Sequence, residues 1–153
     1  MITVRLDDPT SPEAAQLIAR HTAGMGLTTP AEHRFVLGAN ALKHPDTAFF
    51  TAWDGDQLAG MGAIKDLGDG HAEIKSMRTD PAYLRKGVGA AVLTALIDAG
   101  RARGYQRLSL ETGTSDDFVP AHALYRRFGF ADCAAFADYP ADSPHNCYMT
   151  LCL

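Results

Sequence analysis

Between Thr47 and Thr79 the chain spells out three strands and two turns. TAFFTAWD (Thr47 to Asp54), QLAGMGAIKDL (Gln57 to Leu67) and HAEIKSMRT (His71 to Thr79) are separated by DGDQ and by GDG (Gly68 to Gly70). The first run is rich in β-favouring aromatics and threonines, and the glycines sit where tight turns need them. Strand, short turn, strand, short turn, strand predicts an antiparallel meander. That meander limits the chain to a sheet-based fold, and what surrounds it sets the class.

Asp80 to Leu93, DPAYLRKGVGAAVL, passes from a proline into a charged turn and then into a helix. Val88, Ala91, Val92, Ala95, Leu96 and Ala99 follow helical spacing, and Gly100 or Gly104 is the expected end. Gln106 to Thr112 reads as a strand, with Leu108 and Leu110 on one face. A short helix runs from Pro120 until Gly129 stops it, and Ala131 to Tyr139 and Asn146 to Leu153 read as closing strands. Upstream, Ile2 to Leu6 is a short strand. Ser11, Pro12 and Glu13 open a helix that Gly24 or Gly26 is expected to end, and a second short helix is expected over Pro30 to Leu42. The order is β-α-α-β-β-β-α-β-α-β-β, an α/β fold with a mostly antiparallel sheet and one strand-helix-strand unit in the middle. No repeat, long linker or low-complexity segment divides the 153 residues, so one domain over 1–153 is expected.

Composition removes several functions. The net charge is −4, which argues against non-specific nucleic-acid binding. No apolar run is long enough to cross a membrane, and the first residues lack a signal-peptide pattern, so a cytoplasmic protein is expected. Cys133, Cys147 and Cys152 form no close pair and read as free thiols. The six histidines are scattered without an HExxH pattern, so no metal is expected.

A helix that opens on Gly87 and Gly89 needs a reason, because glycine is a poor helix former. The first turn of a helix has unpaired N–H groups and the positive end of the dipole, and both attract anions. Glycines remove Cβ atoms that would hold a phosphate away and allow the backbone angles of an anion nest. Arg85 and Lys86 add charge. LRKGVGA therefore reads as a diphosphate-binding turn, against the alternative of a plain loop-to-helix junction. It is not a Walker A loop, since no lysine followed by Ser or Thr is in place. Nor is it a Rossmann fingerprint, since GxGxxG is incomplete and the preceding strand closes an antiparallel meander.

This order, with LRKGVG after the third meander strand and ALYRRFGF after the next strand, resembles the GNAT superfamily of acetyl-CoA-dependent N-acetyltransferases. The signature [QR]-x-x-G-x-[GA] is met at Leu84-Arg85-Lys86-Gly87-Val88-Gly89, with Leu84 in place of Gln or Arg. A-x-x-L-Y-x-x-x-G-F is met at Ala121, Leu124, Tyr125, Gly129 and Phe130, with Phe118 where an asparagine is usual. The tail from Phe136 resembles a group of small bacterial members.

The resemblance implies that N–H groups of Arg85, Lys86, Gly87, Val88, Gly89 and Ala90 hold the CoA diphosphate. It implies that the end of the third meander strand, Met77-Arg78-Thr79, pairs with the pantetheine arm, and that this strand and the next splay apart around the thioester. It implies direct transfer of acetyl to a primary amine. Tyr125 is then the acid for the leaving thiolate, against the alternative of a packed aromatic. Glu73 is the first candidate base, placed by the period of two on the face of Met77, and Glu111 is the second; the alternative for either is a strand carboxylate paired with Lys75 or Arg107. Asp116 and Asp117 are candidates to draw in a cation, and His122 for a second proton carrier.

Two other readings compete: a non-catalytic acyl-CoA-binding module of the same fold, and a nucleotide-binding α/β protein. Acetyl-CoA turnover separates the first from the enzyme, and ATP binding stronger than CoA binding would favour the second. The acceptor is expected to be a small molecule, because a chain this short has few loops to clamp a protein. Family members often form dimers, so the resemblance admits a homodimer.

Overall fold

The computed structural model describes residues 1–28 and 39–153. β1 (Ile2–Leu6) leads into α1 (Pro12–Thr28) and α2 (Ala39–Leu42), and the meander follows as β2 (Thr47–Asp54), β3 (Gln57–Gly68) and β4 (His71–Thr79). α3 (Val88–Ala102) crosses to β5 (Arg107–Gly113), and α4 (Val119–Arg127) precedes β6 (Ala131–Cys133) and β7 (Asn146–Cys152). The seven strands form one sheet in the order β1-β2-β3-β4-β5-β7-β6. Every neighbouring pair is antiparallel except β4 and β5, which α3 joins in parallel, as a crossover helix allows.

The helices cover both faces. Val88, Val92, Leu93 and Leu96 of α3 pack with Ile64, Ile74, Leu108 and Leu110, and Tyr125 of α4 joins this core. On the other face Ala14, Leu17 and Ile18 of α1 pack with Leu42, Phe49, Met61 and Ala63. Among the described residues no helix is long and apolar enough to cross a membrane. All three cysteines are free thiols.

Two expectations change, at the end of α1 and in β6; one is met, and one falls partly outside the described residues. α1 runs through Gly24 and Gly26 to Thr28. A glycine inside a helix costs about 1 kcal/mol against alanine, and the buried stripe upstream anchors the helix past that cost. α3 runs through Gly100 to Ala102, and Gly104, just past the C-cap Arg103 with φ +79°, ends it as the second of the two expected positions. Of the second helix, Ala39–Leu42 is present, and the rest of the span, 30–38, lies outside the described residues. β6 stops at Cys133, because Phe136 and Tyr139 turn inward. Their rings lie 5.9 Å and 5.8 Å from Tyr148, which buries more aromatic surface than an edge strand would.

One irregularity bears on the site. Ala63 pairs with Lys75 while Met61 pairs with Arg78, so Ser76 and Met77 together stand opposite Gly62. Ser76 takes φ +56°. This bulge breaks the alternation of faces. Met77 packs with the α3 core, whereas Glu73 bonds Lys75 and Tyr139. The expected shared face of Glu73 and Met77 is therefore wrong.

Candidate active site

β4 and β5 pair only from His71 with Arg107 to Ile74 with Leu110. Beyond that point β4 continues to Thr79, while β5 continues to Gly113 along β7. The strands part, and among the described residues no strand pairs with the edge that Lys75 to Thr79 present there. The gap is a cleft of about 110 Å³.

At one end lies the glycine turn. Asp80 fixes its start: its carboxylate accepts from the Ala82 N–H at 2.9 Å and from Arg20 at 3.0 Å, and its own N–H donates to the Ala59 carbonyl at 2.8 Å. Arg85 and Gly87 both have positive φ, +63° and +81°. Gly87 is the N-cap of α3 and offers no side chain to the first turn. The first intrahelical bond is from Ala91 N–H to Gly87 O, so the N–H groups of Val88, Gly89 and Ala90 precede the ladder. Arg85 and Lys86 are exposed beside them, and the Lys86 ammonium lies 5.4 Å over the Tyr83 ring.

The two glycines differ. A Cβ on Gly87 would meet nothing within 4 Å, so this position needs glycine for its backbone angle. A Cβ on Gly89 would stand 3.1 Å from Leu124 Cδ2. Gly89 therefore lets α3 and α4 approach. Leu84, the first signature position, is exposed, and Val88 is buried in the core.

The rest of the cleft is built from side chains. Tyr125 is buried and its hydroxyl points at Met77 Sδ, 3.9 Å away. Burial, and then the charge of Glu111, push its pKa up to about 12, so it stays protonated at neutral pH. Glu111 accepts from Asn146 Nδ2 at 2.7 Å. Burial raises its pKa above the usual carboxylate value, with Asn146 and Lys75 opposing and Glu73 adding to the rise. Glu73 is buried and accepts from Lys75 Nζ at 3.0 Å and from the Tyr139 hydroxyl. Lys75 also donates to the Tyr139 oxygen at 2.9 Å. Burial and the Glu73 carboxylate push the Tyr139 phenol upward, so it remains a donor.

Asp116 and Asp117 are exposed in a short turn before α4 and do not line the cleft. His122 Nε2 is 2.9 Å from the Gly113 carbonyl, so a proton sits on that nitrogen and is already engaged. Phe118 lines the cleft, its ring packed over Gly113. Sequence reasoning missed His21 and Tyr139, which both line the cleft. His21 was visible as the polar member of the buried stripe Ala14, Leu17, Ile18, His21; Tyr139 arrives on a loop and left no periodic signal. Among the described residues no three His, Cys, Asp or Glu side chains gather as metal ligands.

An unpaired strand edge beside a glycine-capped helix is an arrangement with known relatives. The model of the acetyltransferase (GNAT) family matches residues 15–130. The chain is 45% identical over 153 residues to the uncharacterized N-acetyltransferase YedL of Escherichia coli, covering 100% of this chain and 96% of that one. It is 46% identical over 147 residues to the uncharacterized N-acetyltransferase YsnE of Bacillus subtilis, covering 96% and 97%. A solved structure from Klebsiella pneumoniae, assigned to the acyl-CoA N-acyltransferases, superposes with a TM-score of 0.81 at 28% identity, covering 98% and 96%. The family match spans the helix face, the glycine turn and the tyrosine helix that make up the cleft, and the chain belongs to the GNAT family and is an acyltransferase.

Proposed function

We propose that residues 1–153 act as one domain that moves the acetyl group of acetyl-CoA to a small primary amine, with both substrates bound at once. The observation that carries this reading is the uncapped start of α3 beside the free edge of β4. The diphosphate is assigned to the N–H groups of Arg85 to Ala90, next to the Arg85 and Lys86 charges. The backbone of Met77, Arg78 and Thr79 takes the pantetheine arm as an added strand.

Acetyl-CoA supplies the activated acyl carbon; proton handling falls to the chain. Glu111 accepts a proton from the incoming ammonium, since only a neutral amine attacks. Its environment supports this choice over Glu73: burial raises its pKa above the ordinary carboxylate value, whereas Glu73 is engaged by Lys75 and Tyr139. Glu73 is then the group that positions those two side chains. As the C–N bond forms and the C–S bond breaks, Tyr125 gives its proton to the departing sulfur. It regains one from the new amide nitrogen, and Glu111 releases its proton to water. One proton leaves per turnover.

Calorimetric titration with acetyl-CoA and, separately, with ATP tests the reading. Acetyl-CoA is expected to bind in the micromolar range and ATP not at all. A folded protein that takes up no acetyl-CoA overturns it.

A further inference from the structure

The cleft wall opposite Tyr125's helix carries polar groups that the transfer chemistry above does not use. His21 sits on α1 in the stripe Ala14, Leu17, Ile18, where an apolar residue would suit the core. It is 9% exposed, and its Nδ1 has no hydrogen-bond partner among the described residues. Buried polar atoms are nearly always paired, so such an exception calls for an explanation. Burial and the neighbouring Arg78 charge keep the ring neutral, so one nitrogen carries a proton and the other a lone pair. With Nδ1 enclosed, Nε2 is the nitrogen left to reach a bound molecule.

Lys75 gives a second, independent sign. Its ammonium has three donors. Two go to Glu73 and Tyr139, and the third has no partner among the described residues, although the side chain is only 9% exposed. Glu111 shows the opposite gap: Asn146 occupies Oε1, and Oε2 has no partner there. The same cleft thus holds a spare carboxylate oxygen and spare donors. Its lining sets the Lys75 ammonium against the Glu73 and Glu111 carboxylates. A spare cationic donor and a spare carboxylate oxygen in one cleft complement the two ends of a zwitterion.

We propose that the acceptor is a small α-amino acid, its carboxylate held by Lys75 and His21 and its amine presented to Glu111. This rests on the acetyltransferase reading above and names the substrate class of that site. The cleft of about 110 Å³ suits a short side chain.

The test measures thiol release from acetyl-CoA with glycine, L-alanine and L-serine, against ethylamine and isopropylamine, which lack the carboxylate. At least one amino acid is expected to exceed both plain amines in kcat/KM by about tenfold or more, the worth of one well-formed charged contact. His21→Leu, which suits the stripe, is expected to raise KM for that amino acid about tenfold, leave kcat nearly unchanged and leave acetyl-CoA affinity alone. His21→Gln, which restores a donor, should recover part of the loss. Plain amines used as well as the amino acids, or acetyl-CoA bound with no amino acid acetylated, overturns the proposal. A His21→Leu protein with normal melting and an unchanged KM does so too. Failure to bind acetyl-CoA would instead overturn the underlying reading.

Discussion

The two ends of the cleft are made of different material. At the α3 end the polar groups left open are main-chain N–H donors, set by positive φ at Arg85 and Gly87. At the other end they are side chains from four separate elements: His21 on α1, Lys75 and Glu73 on β4, Glu111 on β5, and Tyr139 on the loop before β7. Backbone donors cannot be changed by substitution without bending the chain. Side chains can be exchanged one at a time. Under the proposed assignment, the backbone end suits a substrate that stays constant and the side-chain end one that varies.

That contrast breaks most sharply at Tyr125. Tyr125→Phe keeps the ring in the core with Phe130 and removes only the hydroxyl. Turnover is expected to fall by about 100-fold or more, the usual scale for a lost general acid, with acetyl-CoA affinity unchanged within about twofold. Steady-state rates and calorimetry on the same preparation check both. An unaltered rate would take Tyr125 out of the mechanism.

The side-chain end should also show itself in stability. His21 has a folded pKa of about 4 against an ordinary 6.5. An unfolded chain takes up the proton below about 6.5, and the folded chain refuses it until about 4. The unfolded state therefore binds more protons in that window, so stability rises with pH. This contribution is complete above about 6.5 and is lost as pH falls toward 4; its size is about 3 kcal/mol. Urea unfolding at pH 7 and at pH 4.5 measures it. His21→Leu should lose distinctly less stability between the two than the wild type, and equal losses would show that the ring does not titrate as a buried group.

The same contrast explains what the sequence could reveal. β2 and β4 begin and end where turn chemistry places them, at Thr47, Asp54, His71 and Thr79, because glycine turns and alternating patterns are local signals. The glycine turn was legible for the same reason: a helix that starts on glycine contradicts local propensity. The side-chain end has no local signal. Glu73, Lys75 and Tyr139 meet across 66 residues of chain, and only the sheet brings them together. The bulge at Ser76 was hidden as well. Nothing in EIKSMRT marks it, and it moved Met77 to the α3 side by inserting one residue into the alternation. Tyr125 and Glu111 were found as single residues, but their shared cleft depends on where β4 and β5 cease to pair.

The smallest effects lie within the backbone end itself, and they separate two glycines that look alike in the sequence. Gly87 has φ +81° and open space around its missing Cβ. Gly87→Ala meets no clash but must hold a left-handed angle, at about 1–2 kcal/mol. If the turn relaxes to avoid that cost, the N–H groups turn away from the diphosphate, and acetyl-CoA affinity should fall about tenfold. Gly89→Ala has ordinary helical geometry and meets only Leu124 Cδ2, at 3.1 Å. That atom ends a flexible side chain and needs to move by a few tenths of an ångström. Alanine's better helix propensity, worth about 1 kcal/mol, offsets the crowding. Gly89→Ala should therefore keep acetyl-CoA affinity within about threefold and stability within about 0.5 kcal/mol. Calorimetry and thermal melting on the two variants decide. Equal losses of affinity would mean that both glycines serve the anion nest, and that the Leu124 contact does not explain Gly89.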